Sequence, residues 1–138
     1  MQKLDSLEIT GKAPVGLYCR AGWEAVRAGV RHISVSKPDE NEPIIIWPQP
    51  AGKCSGSWCQ TTEHEMWTQF QFTTLGKKLD GTILRDEPFG FAKNDKMLVL
   101  SGAAAVWMYA AAGAQACAAG VKDLFYDDPR RANLICLG

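Results

Sequence analysis

The clearest alternation of apolar and polar positions runs over residues 66–74. Met66, Thr68, Phe70, Phe72 and Thr74 fall on one face, and Trp67, Gln69, Gln71 and Thr73 on the other. That period of two predicts a strand with one face against a core. Residues 30–36 alternate through Val30, Ile33 and Val35, and the β-branched run Ile44-Ile45-Ile46-Trp47 follows across a polar turn, so both predict strands. Pro48 and Pro50 stop the second. Nearer the N-terminus, Leu7 and Ile9 alternate with polar neighbours, and Val15-Gly16-Leu17-Tyr18-Cys19 is a second short apolar run. Residues 5–19 therefore read as two strands around the turn Gly11-Lys12-Ala13-Pro14. Residues 22–29 read as one or two helical turns ended by Gly29. Residues 50–64 have no period and read as a loop. Thr82-Ile83-Leu84, after the turn signal Asp80-Gly81, is expected to pair in a hairpin with the strong strand.

From residue 97 the pattern changes. Met97-Leu98-Val99-Leu100 is a continuous apolar run, followed by a Ser-Gly break and an alanine-rich helix carrying Trp107 and Tyr109. Leu124-Phe125-Tyr126 and a run over residues 133–137 come next. The order is strand, helix, strand, strand, with the first two strands parallel through a crossover. The expected fold is α+β (mixed α/β): one domain over residues 1–138, β-rich in its N-terminal part and closing with a β-α-β-β unit. No internal repeat stands out. The alanine segment predicts close approach by another backbone, either at a subunit interface of a homo-oligomer or beneath a ligand. The plainer reading is a thin helix against its own sheet.

Charge narrows the partners. Fifteen Lys+Arg balance fifteen Asp+Glu, so there is no general field to hold a long nucleic acid. Five cysteines, an odd number, and an N-terminus without a basic-then-apolar leader point to a reducing, cytoplasmic setting. Residues 103–119 are apolar but made of alanine with Gln115, short of the roughly 20 strongly apolar residues a span needs, and no membrane association is expected.

Four groups are candidates for chemistry. Ser101-Gly102, between strand and helix, offers free N–H groups and a glycine that lets a phosphate approach, although Ser101 as a helix cap is the simpler use. Asp127-Asp128-Pro129-Arg130-Arg131 ends the next strand, hence on the same sheet edge, where open sheets bind ligands. Its carboxylates suit a divalent cation and its guanidiniums suit phosphate; an ordinary Asp-Pro turn is the bland alternative. Cys54, Cys59 and His64 are zinc-compatible at wide spacing, with free loop thiols the alternative. His64, flanked by Glu63 and Glu65, is a candidate base, whereas His32 reads as a packing residue in its strand. Trp58, in a Gly/Ser loop, is expected to be exposed and to face a ligand.

With Ser101-Gly102, the four residues after them, Trp107, the alanine helix and Phe125-Tyr126-Asp127-Asp128-Pro129-Arg130 in view, the segment Leu98 to Leu137 resembles the small ring-nuclease family of type III CRISPR systems. The resemblance spans about 40 residues. It implies binding of cyclic tetra-adenylate, a second messenger of antiviral defence, and cleavage with manganese across a subunit interface. Asp128 would take the place of the aspartate before Pro-Arg as catalytic group and ligand to Mn2+ or Mg2+. Ser101 and Gly102 would contact phosphate, with Trp107, Tyr109, Asp127, Arg130 and Arg131 around the ligand. The family carries histidines on its helix where this chain has Ala114 and Ala118, and the segment leading to Asp-Pro is longer by one or two residues. That loss favours binding over cleavage unless His64 or His32 supplies a proton. Two alternatives stand beside this one: a protein-interaction or phage accessory module without activity, and a metal-dependent hydrolase built on Cys54, Cys59 and His64.

Overall fold

The computed structural model describes residues 5–11, 14–36, 42–49, 58–73, 82–86, 90–91, 97–102, 104–128 and 133–136, the last four and residues 86 and 128 by their backbone. In chain order the elements are β1 (Ser6–Ile9), α1 (Val15–Arg27), β2 (His32–Val35), β3 (Ile44–Trp47), β4 (Cys59–Glu63), β5 (Trp67–Phe72), α2 (Ile83–Asp86), β6 (Met97–Ser101), α3 (Val106–Ala118), β7 (Leu124–Asp128) and β8 (Asn133–Cys136). They build two sheets, β1-β2-β3 and β4-β5-β6-β7-β8. In the first sheet β1 runs parallel to β2, and β3 returns antiparallel. In the second, β5, β6 and β7 run parallel to one another, and β4 and β8 are the antiparallel edges. The fold is α+β, as the patterning predicts.

The N-terminal part is not built as expected. Val15 to Cys19 belongs to α1, because the side that matters repeats every three to four residues: Tyr18, Cys19, Gly22, Trp23 and Ala25 are buried on one face. Read over five residues alone, the same letters mimic a strand. Cys59–Glu63 is a strand inside the expected loop, and it, not Thr82-Ile83-Leu84, forms the hairpin with β5. Residues 83–86 make one helical turn.

The chain also contains an internal repeat, which does not stand out in the hydrophobic pattern. Shifted by 91 positions, Gly11, Val15, Tyr18, Gly22, Ala25, Gly29 and Val30 recur as Gly102, Val106, Tyr109, Gly113, Ala116, Gly120 and Val121. The backbone repeats with the letters. Gly11 and Gly102 take φ of 101° and 100°, and Gly29 and Gly120 take 89° and 83°. The Tyr18 hydroxyl donates to the Gly11 carbonyl, and the Tyr109 hydroxyl to that of Gly102. Both helices end in the same motif, with the Val30 and Val121 N–H groups donating to Ala25 and Ala116 at 3.0 Å each. Each copy is a β-α-β-β unit: β1-α1-β2-β3 and β6-α3-β7-β8.

The two copies join through their helices. A Cβ on Gly22 would lie 2.2 Å from the Ala110 carbonyl oxygen, and one on Gly113 would lie 1.9 Å from that of Cys19. Cys19 and Ala110 are themselves equivalent, so the contact is reciprocal, as across the two-fold of a dimer. This is why α3 is made of alanine: Ala110, Ala111, Ala112, Ala114 and Ala116 are fully buried, and the backbone that approaches them is α1 of the same chain. With a sheet behind each helix, one hydrophobic core runs through both copies.

Candidate functional site

The register of β6 and β7 pairs Leu100 with Tyr126, so Ser101-Gly102 and Asp127-Asp128 emerge side by side at one carboxyl edge. Leu100 and Tyr126 face α3, as the Tyr109–Tyr126 ring contact at 5.2 Å shows. Because side chains alternate, Ser101 and Asp127 project from the opposite face. Gln71 is the partner of Ser101 in β5, and Gln60 the partner of Gln71 in β4. A polar row, Gln60, Gln71, Ser101 and Asp127, thus crosses four adjacent strands, with Gln60 and Gln71 exposed and Asp127 half-buried. Behind it the Gln69 Nε2 amide donates to Ser101 Oγ at 3.1 Å.

The Ser-Gly break is held in a different way from the one expected. Gly102 has a positive φ, and the space a Cβ would take holds the Phe72 carbonyl oxygen at 2.4 Å and its nitrogen at 2.9 Å. The glycine therefore admits the protein's own β5, not a ligand. Its carbonyl accepts the Tyr109 hydroxyl at 2.6 Å. Burial pushes the Tyr109 phenol well above its ordinary value, and negative charge at Tyr126, Cys19 and Asp127 adds to the rise. It is a neutral donor that fixes the turn. Ser101 does not cap α3, whose N-cap is Ala105 without a side-chain cap bond.

Three aromatic residues expected at a ligand lie in the core. Trp107 and Tyr109 are 1 % and 0 % exposed, and Trp58 is 1 % exposed against Phe72. Tyr109 packs between α3 and the sheet, against Phe72 and Tyr126 at 4.7 and 5.2 Å. His64 ends the β4–β5 hairpin, where its ring stacks on Trp67 at 4.2 Å. Trp67 pairs with Met97 at the start of β6 and Gln71 with Ser101 at its end. Four residues at about 3.3 Å each put His64 roughly 13 Å from the carboxyl edge, so it does not act with Asp128 there. His32 is exposed instead of packed. Cys59 is buried and disulfide-bonded, not a free loop thiol or a zinc ligand. Among the described residues no three His, Cys, Asp or Glu side chains converge. Cys54, Arg130, Arg131 and the Asp128 side chain lie outside the described residues; the Asp128 backbone closes β7.

Two features of the site have no local signal in the hydrophobic pattern. Gln60 falls in the stretch that reads as a loop and Gln71 on the polar side of its strand, and their place beside Ser101 depends on a pairing order that no local pattern encodes. Thr10-Gly11 is the second copy of the Ser101-Gly102 turn, signalled by the shared Gly-x3-Val-x2-Tyr-x3-Gly spacing. No family model, curated protein or solved structure matches the chain. Among the described residues no helix is long and apolar enough to cross a membrane.

Proposed function

We propose that the carboxyl edge of the second sheet binds a cyclic oligoadenylate-type nucleotide, in the setting of type III CRISPR antiviral defence, and holds it without cleaving it. The observation that carries this reading is the β6–β7 register, which brings Ser101-Gly102 and Asp127-Asp128 to adjacent strand ends. The exposed amides of Gln60 and Gln71 add donor and acceptor pairs of the kind that read an adenine edge. Arg130 and Arg131, next in sequence, bring the charge for phosphate.

Binding is preferred to cleavage because the acid–base groups are not assembled. Ala114 and Ala118 replace the helix histidines that the resemblance implies, and His64 sits at the other end of the strands. The described side chains likewise bring no three His, Cys, Asp or Glu together to hold Mn2+ or Mg2+. The expected homo-oligomer loses its motive, since α1 already covers the alanine face. A cytoplasmic setting now rests on the ligand chemistry alone, because a disulfide at Cys59 removes the argument from cysteine usage.

Calorimetric titration with cyclic tri-, tetra- and hexa-adenylate tests this. One of the three binds with a single-site isotherm, and the ligand is recovered intact with manganese present. Gln71→Ala weakens the affinity about tenfold, as expected for one lost base contact of 1–3 kcal/mol. No heat with any of the three rings refutes the proposal.

A further inference from the structure

On the outer flank of the first strand the two copies of the repeat differ in exposure. Leu98 and Leu100 of β6 are 4 % and 0 % exposed, whereas their counterparts Leu7 and Ile9 in β1 are only half-buried. Met108 is buried in α3, while its counterpart Leu17 in α1 is 56 % exposed. A Cβ at Gly102 would strike the Phe72 backbone, but one at Gly11 would meet nothing within 4 Å. In the C-terminal copy β5 lies parallel beside β6 and against Gly102. Among the described residues no strand occupies that side of β1.

The open side of β1 has the means to pair. The His32 and Ser36 N–H groups donate to the Asp5 and Ile9 carbonyls at 2.9 Å each. In a parallel ladder alternate residues address opposite neighbours, so the N–H and C=O groups of Ser6 and Glu8 point away from β2. We propose that this side of β1, with Leu17 beside it, is a docking edge for an extended segment of a partner protein. The segment runs parallel to β1 and carries apolar residues at alternate positions, as β5 does against β6.

The molecule itself supplies the argument for that occupant. β5 shows what fills the equivalent place: Phe70 and Phe72 point inward, with Phe72 against Tyr109 at 4.7 Å, and Tyr18 and Leu17 stand where Tyr109 and Met108 stand. The outward residue differs in a telling way. Val99 pairs with Gln69, and its counterpart is the exposed Glu8, so the segment carries Lys or Arg at the position that matches Gln69. A second copy of this chain fits less well, because two β1 strands meeting about a two-fold run antiparallel and bring Glu8 near its own equivalent.

Amide hydrogen exchange by NMR on the full chain tests this, with two labelled peptides as probes: residues 65–73 of the chain, and the same peptide with Gln69→Lys. In the free chain the Ser6 and Glu8 amides exchange fast, whereas Met97 and Val99, covered by β5, exchange slowly. Adding peptide slows Ser6 and Glu8 with a saturable isotherm, and the lysine peptide binds more tightly. Leu17→Asp weakens binding at least tenfold and leaves the thermal transition in place. Three results overturn the proposal: no saturable binding by either peptide, Ser6 and Glu8 already as slow as Val99 in the free chain, or a dimeric mass with those amides protected. No nucleotide is present, so the outcome is independent of the reading of the carboxyl edge.

Discussion

Three glycines, Gly22, Gly102 and Gly113, set how closely the chain approaches itself. At Gly113 an alanine would raise intrinsic helix propensity by about 1 kcal/mol, yet its Cβ would sit 1.9 Å from a backbone oxygen of α1. Backbone does not yield as a flexible side chain does, so the clash dominates. Gly113→Ala is expected to destabilise the protein by about 3 kcal/mol or more, read as a lower urea midpoint with an unchanged slope. Gly11 and Gly102 make an internal control, since both have φ near 100° but only Gly102 faces a neighbour. Gly11→Ala should lose only the conformational term, of order 1–3 kcal/mol, and Gly102→Ala clearly more in the same assay. Burial pushes the Cys19 thiol and the Tyr109 phenol above their ordinary values of 9.0 and 10.0. The folded state therefore keeps protons that the unfolded chain releases, so this stability is present below pH 9 and declines as pH rises past 9 to 10. Tyr109→Phe removes the phenol from that balance. It should flatten the alkaline decline in denaturation midpoints while lowering the neutral-pH stability by about 1 kcal/mol for the lost bond to Gly102.

At the level of elements, what could be read from the chain depended on period and window. β2, β3, β5, β6, β7 and β8 show themselves because alternating or continuous apolar runs are long enough to exclude the other period. α1 does not: Val15, Leu17 and Cys19 alternate with their neighbours, and only the extension through Gly22, Trp23 and Ala25 reveals the helical face. Apart from Tyr18 and Tyr109, the identities of the repeat fall on Gly, Ala and Val, residues easily taken for composition. Of the candidate site, the meeting of Ser101-Gly102 with Asp127-Asp128 was legible, since a crossover between parallel strands forces both to one edge. The direction of Trp107 and Tyr109 was not, because a helix of alanine has no polar face to tell which side is wet. Gln60 and Gln71 enter only through the order β4-β5-β6, which joins strands distant in sequence.

The whole molecule reads as a dimer folded into one chain. Two β-α-β-β units meet through reciprocal Gly22 and Gly113 contacts, and the pairing that would otherwise need a second copy is internal. The chain is thus expected to run as a monomer of 15.1 kDa in light scattering. The copies have diverged where function would differ. Asp128-Pro129-Arg130-Arg131 in one corresponds to Lys37-Pro38-Asp39-Glu40 in the other, with charges of opposite sign at matched positions. On the proposed reading the phosphate-binding groups belong to the C-terminal copy, while the open strand edge belongs to the N-terminal one. The most direct test is to follow backbone amide shifts of the full chain while cyclic tetra-adenylate is added, repeating with the tri- and hexa-adenylate rings. Saturable shifts centred on Gln60, Gln71, Gly102 and Asp127 with one ring are the expected result. An unchanged spectrum with all three, or shifts confined to the His64 hairpin at the opposite end of the strands, would contradict it.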